Sequence, residues 1–86
     1  MKMSETGFSP SKLSIRAGQT VVFENAGQRE HWPASNIHPT HGIYPEFDSK
    51  SGVPPGGSWA FTFTKPGIWR CHDHLFPETA CTVTVE

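Results

Sequence analysis

Between Ser58 and Thr64 the chain reads Ser-Trp-Ala-Phe-Thr-Phe-Thr, with a large aromatic residue at every second position. Only an extended strand puts residues i, i+2 and i+4 on one side, so Trp59, Phe61 and Phe63 cover one face of a sheet. A helix would scatter them around its circumference. The same period recurs at Lys12–Arg16, where Leu13 and Ile15 alternate with polar neighbours, and at Cys81–Val85, where Val83 and Val85 share a side. Thr20–Asn25 adds a stretch rich in β-branched and aromatic residues, reached through the Ala17-Gly18 turn. The 8 glycines and 8 prolines among 86 residues break the chain into short pieces, and no window carries a helical period. The expected fold class is all-β, a sandwich.

Eighty-six residues make one domain, in which residues 1–7 read as a disordered or strand-leading tail. A net charge of −1 gives no basis for nucleic acid or an anionic lipid surface as a partner. No apolar run approaches membrane-spanning length, and Met1–Thr6 carries no hydrophobic leader. His31-Trp32-Pro33-Ala34-Ser35 reads as a short strand that Pro33 restricts to an edge. Residues 36–57 read as a long loop, a feature that in a compact domain usually serves function.

Five histidines and three tryptophans are the unusual counts. Along Trp69-Arg70-Cys71-His72-Asp73-His74, strand alternation puts Trp69, Cys71 and Asp73 on one face and Arg70, His72 and His74 on the other. Two imidazoles at i and i+2 can share a metal ion, and Asp73 can orient an imidazole through its second N–H or ligate directly. The alternative is a pair of surface histidines bonded to loops. In the loop, His38 and His41 form His-Pro-Thr-His, which either chelates or braces the loop against Glu46 or Asp48. With His31, five imidazoles could gather at one end. Such donors without thiolate favour Cu(II), with Zn(II) and Ni(II) as competitors. Cys71 and Cys81, separated by nine intervening residues at the ends of two strands, fit a disulfide, free buried thiols, or ligation by Cys71. No serine–histidine or comparable nucleophile–base pattern is present, so no catalytic residue is assigned.

Ala17–Asn25, Pro55–Phe63 and Gly67–His74 followed by Thr82–Val85 together resemble the cupredoxin domain, over roughly Phe8 to Glu86. The resemblance implies a Greek-key β-sandwich with copper chemistry at one end, in proteins that mostly work outside the cytoplasm. In the family's blue copper members the ligand cysteine follows the glycine of the preceding turn by six residues. From Gly67 that register falls on Asp73, not Cys71. A short-loop pattern C-T-P-H-P-x-M-x-G would then put its histidine on Phe76 and its methionine on Thr79. His31-Trp32 and His72-Asp73-His74 look more like the H-W-H-G and Y-H-S-H motifs of the first domain of multicopper oxidases, which carries His31, His72 and His74 over as copper ligands. Pro33 stands where the second histidine of H-W-H-G would be, so oxidase chemistry would need histidines from another copy, in a homo-oligomer, or from another protein.

The sequence therefore leads to a single cupredoxin-like domain binding copper, as Cu(II) and Cu(I), at a histidine-rich non-blue site. His31, His72 and His74 form the core set and His38 and His41 are the next candidates. Storage, delivery or redox work outside the cytoplasm is the expected role, with a redox or copper-delivery protein as partner. Two alternatives stand beside it: a blue electron carrier using His31, Cys71 and His74, and a metal-free interaction module closed by a Cys71–Cys81 disulfide.

Overall fold

The computed structural model describes residues 1–36 and 43–86. Among them the strands run β1 (Lys2–Ser4), β2 (Gly7–Ser9), β3 (Lys12–Ile15), β4 (Thr20–Asn25), β5 (Pro33–Ser35), β6 (Ser58–Thr62), β7 (Gly67–Asp73) and β8 (Phe76–Val85). They form two four-stranded sheets, ordered β2-β1-β4-β6 and β3-β8-β7-β5. Neighbours are antiparallel except β1 with β4 and β3 with β8, which run parallel. The all-β sandwich expected from the alternating pattern is what the chain forms.

The alternation works as the sequence suggested. In β4, Val21, Phe23 and Asn25 turn inward while Thr20, Val22 and Glu24 face out. Val21 lies opposite Phe61 and Phe23 opposite Trp59 on β6. Across the sandwich, Cys71 of β7 and Cys81, Val83 and Val85 of β8 complete the buried layer.

The centre of that core comes from the loop. Phe47 and Tyr44 are fully buried. The Phe47 ring centroid sits 4.9 Å from Phe63, 5.5 Å from Phe61 and 5.6 Å from Phe23. Tyr44 meets Trp69 edge-on at 4.8 Å. An aromatic pair in a non-periodic stretch carries no strand signal, so sequence pattern alone does not place it inside. Asp48, next to Phe47, anchors the segment: its Oδ1 accepts from Trp32 Nε1 (2.6 Å) and from the Lys50 amide (2.8 Å).

The opening residues take part in the sheet. β1 lies between β2 and β4, and Met3 is buried in the core. At the other end of the chain, β7 and β8 set Trp69 opposite Val83 and Cys71 opposite Cys81. The two cysteines form a disulfide, with Cα atoms 4.9 Å apart. Beyond it the ladder slips: His72 faces Ala80, but Asp73 faces Phe76, leaving Pro77, Glu78 and Thr79 out of register. Such a slip bends the strand and re-aims its side chains. Here it shapes the end of the sandwich where His31 lies.

Candidate metal centre

His31 sits in a loop with a rigid backbone. Its amide donates to the Val53 carbonyl (3.2 Å), and the Val53 amide donates back to the His31 carbonyl (2.8 Å). Buried Asn25 locks the approach. Its Nδ2 donates to the carbonyls of Arg29 (2.7 Å) and Val53 (2.8 Å), and its Oδ1 accepts from the Gly27 amide (2.9 Å). On the facing strand, Pro33 pairs with Asp73, which carries the Asp73 carboxylate to the His31 ring.

The two meet at 2.5 Å, His31 Nδ1 to Asp73 Oδ2, and both residues are 1% exposed, so water does not compete for this contact. The second Asp73 oxygen accepts from the Trp32 amide (2.9 Å) and the Leu75 amide (3.1 Å), so both oxygens of this buried carboxylate are hydrogen-bonded. The other ring nitrogen, Nε2, lies 2.8 Å from Glu5 Oε2. Glu5 comes from the turn between β1 and β2, and both of its oxygens also accept from the Gln28 amide, at 3.0 and 3.1 Å. A neutral imidazole has one N–H, so it donates to only one of these two carboxylates at a time. The hydrogen bond from His31, and after it the one from the Gln28 amide, holds the Glu5 carboxyl below its ordinary range.

Gly27 makes the Glu5 contact feasible. A Cβ there would stand 2.1 Å from Glu5 Oε2 and 3.1 Å from His31 Nε2. The missing methyl leaves a cradle beside Nε2, and the Glu5 carboxylate fills it. The cradle opens on a cavity of about 240 Å³ lined by Ser4, Glu5, Arg29, His31, Phe76, Glu78 and Thr79. The Phe76 ring packs 5.5 Å from the His31 ring.

His72 follows Cys71 on β7, immediately before the slip in the ladder. His72 is buried, and its Nδ1 donates to Asn36 Oδ1 at 2.8 Å. The His74 amide donates to the Trp32 carbonyl (2.7 Å), and its ring lies 4.5 Å from the Trp32 ring. His38 and His41 fall outside the described residues. The structure thus joins His31 to Asp73 and Glu5, and His72 to Asn36. Asp73 takes an imidazole N–H, the role its position suggested, and the ring belongs to His31. Glu5 and Asn36 carry no signal in the sequence; their roles come from contacts across 26 and 36 residues.

A thiolate copper site does not fit this arrangement. The Cys71 sulfur is bonded to Cys81, and the position six residues after Gly67 is the buried Asp73 carboxylate. His31 offers an imidazole, and both of its ring nitrogens are held by carboxylates. Metal-binding histidines characteristically give their other N–H to a carboxylate, and Asp73 holds Nδ1 in that way while Nε2 faces the cradle. Among the described residues no three of His, Cys, Asp or Glu converge on one point. Glu5 and Asp73 lie at opposite nitrogens of one ring, so they cannot meet at a single ion.

No family model and no curated protein matches the chain. Solved structures do. A reduced variant of amicyanin superposes with a TM-score of 0.82 at 20% identity, over 100% of this chain and 81% of that one. A second amicyanin variant, in its Cu(I) form, gives 0.81 at 20% identity over the same shares. A purple cupredoxin from Nitrosopumilus maritimus gives 0.82 at 24% identity, over 95% of this chain and 84% of that one. With its two sheets, the parallel β3–β8 pair and these superpositions, the chain has a cupredoxin-like fold.

Proposed function

We propose that this chain is a copper-binding protein that takes its ion through imidazole rather than thiolate, for copper handling or electron transfer with a protein partner. One observation carries the reading: His31, a buried imidazole at the end of a cupredoxin-like sandwich, has its Nδ1 fixed by the buried Asp73 carboxylate and its Nε2 aimed at a glycine-made cradle. The copper named in the amicyanin structure supports the choice of metal. Bound there, copper would supply one-electron redox chemistry between Cu(I) and Cu(II). The chain's own residues orient the ring, exclude water from Nδ1 and keep both sulfurs out of the donor set. His72, His74, His38 and His41 are the candidates for the remaining donors. The disulfide favours a compartment outside the cytoplasm, where such bonds persist.

Titration with Cu(II), followed by electron paramagnetic resonance and visible spectroscopy, tests this. The expected spectrum is pale, lost in His31→Ala and retained when Cys71 and Cys81 are both replaced by alanine. An intense visible band that vanishes with the cysteines would refute it.

A second reading has its own support. Both nitrogens of His31 and Nδ1 of His72 already have protein partners, and the disulfide closes the hairpin beside them. This suits a metal-free interaction module, which would hold no stoichiometric copper after dialysis.

A further inference from the structure

We propose that the outer edge of β6 is a self-association surface, on which a second copy of this chain pairs its own β6 antiparallel to the first. The inference goes beyond the copper reading and does not depend on it.

The direction of the β6 backbone comes first. At one end the Gly57 carbonyl accepts from the Asn25 amide (2.9 Å); at the other the Phe63 amide donates to the Gln19 carbonyl (3.0 Å). Opposed residues of an antiparallel pair alternate between bonded and non-bonded positions, so Trp59 and Phe61 also bond toward β4. Ser58, Ala60 and Thr62 therefore turn their N–H and C=O groups away from it. β4 agrees. Val22 and Glu24, opposite Ala60 and Ser58, bond to Met1 on the other side: the Val22 carbonyl accepts from the Met1 amine (2.9 Å) and the Glu24 amide donates to the Met1 carbonyl (2.9 Å). β6 is the last strand of its sheet, and among the described residues nothing bonds this outward rim.

The rim is also unguarded. Sheet edges are normally protected by charge, proline, bulges or a covering loop. Ser58–Thr62 has no charge and no proline, and its register with β4 is unbroken. The other three edges are protected. β2 is three residues long and stops at Pro10, and β3 contains Lys12 and runs into Arg16. β5 starts at Pro33 and is covered by the loop, where the Ser35 amide donates to the Phe47 carbonyl (2.7 Å) and the Ser49 amide to the Pro33 carbonyl (3.1 Å).

The strand is complementary to itself. About a two-fold axis at Ala60, Ala60 meets Ala60 of the second copy and Ser58 meets Thr62, each pair exchanging two backbone bonds. The exposed side chains brought together there are small and uncharged. On the sandwich side, half-buried Trp59 falls opposite half-buried Phe61 of the second copy, an aromatic pairing that stabilises sheets and covers what each ring leaves exposed. Because the pairing uses the one unguarded edge, it closes at two copies. Five residues a side make a small interface, so the dimer is a weak one that forms at high concentration.

Sedimentation equilibrium of the full chain from about 10 μM to about 1 mM should show monomer passing into dimer. Ala60 is exposed, so Ala60→Lys and Ala60→Glu leave the core untouched. Each sets like charges face to face at the axis and should weaken the dimer by on the order of tenfold or more, while an equimolar mixture of the two should restore it. In the unsubstituted chain, amide exchange at Ser58, Ala60 and Thr62 should slow as concentration rises, with Trp59 and Phe61 slow throughout. That measurement stands even where a variant fails to fold. A chain that stays monomeric across the range, or one that assembles beyond two copies, would overturn the proposal. So would a dimer indifferent to Ala60→Lys, a mixture that stays monomeric, or rim amides that do not respond to concentration.

Discussion

Reducing the Cys71–Cys81 bond is the perturbation whose size follows most directly from the structure. The bond spans a sequence separation of 10, and the reduced chain regains the freedom of that closed loop when unfolded. The chain-entropy relation for a loop of this length gives about 2.5–3 kcal/mol. For a domain of this size each kcal/mol shifts the thermal midpoint by about 4–8 °C, so reduction should lower Tm by about 10–20 °C. Both cysteines are almost fully buried and lie directly opposite on β7 and β8, so the folded strands should stay paired after reduction. The loss then falls on the unfolded side of the balance. The assay is a pair of thermal melts followed by near-ultraviolet circular dichroism of Trp59 and Trp69, with and without reductant, checked by intact mass. A mass that fails to gain two hydrogens on reduction, or a Tm shift below about 3 °C, would show that the reasoning is wrong.

Other expectations follow from the same contacts. Asp73→Ala strands His31 Nδ1 and the amides of Trp32 and Leu75 without an acceptor, and should cost about 3–5 kcal/mol in urea unfolding; a loss under 1 kcal/mol would contradict a buried, fully used carboxylate. Phe47→Ala opens a void among Phe23, Phe61 and Phe63 and should cost about 3–5 kcal/mol by the same measurement, although the residue lies in a loop. Glu5 has its carboxyl held below the ordinary range, so its tie to His31 and Gln28 is fully present above ordinary carboxylate pH values and is lost as pH falls through the depressed one. Protection of the Gln28 amide against hydrogen exchange, taken relative to its intrinsic rate at each pH, should fall on acidification, and Glu5→Ala should abolish that fall.

The strands were legible because their faces are unlike. Leu13 and Ile15, Val21 and Phe23, Trp59 and Phe61, and Val83 and Val85 alternate with polar or smaller residues, and each pair turns toward the interior. What stayed hidden has no period. Tyr44 and Phe47 fill the core from a loop, and Lys2–Ser4 is too short a strand to show alternation. The site divides the same way. His31 and Asp73 stood out as chemically able residues, and counting from Gly67 picked out Asp73 as the position of interest. Their mutual contact spans 42 residues of chain, and the Glu5 contact spans 26, distances over which spacing says nothing. Two members of the expected imidazole cluster, His38 and His41, lie outside the described residues.

The parallel ladder between Lys12–Ile15 and Thr82–Val85 has a consequence for how the molecule is made. A ribosome delivers β3 well before its partner β8, so one edge of the sandwich stays open until β8 emerges. Assembly must wait for β8, and such distant pairings are slow to find. Until then the early strands present a bare hydrogen-bonding rim to anything nearby, which makes the nascent chain more vulnerable to self-association than the finished protein.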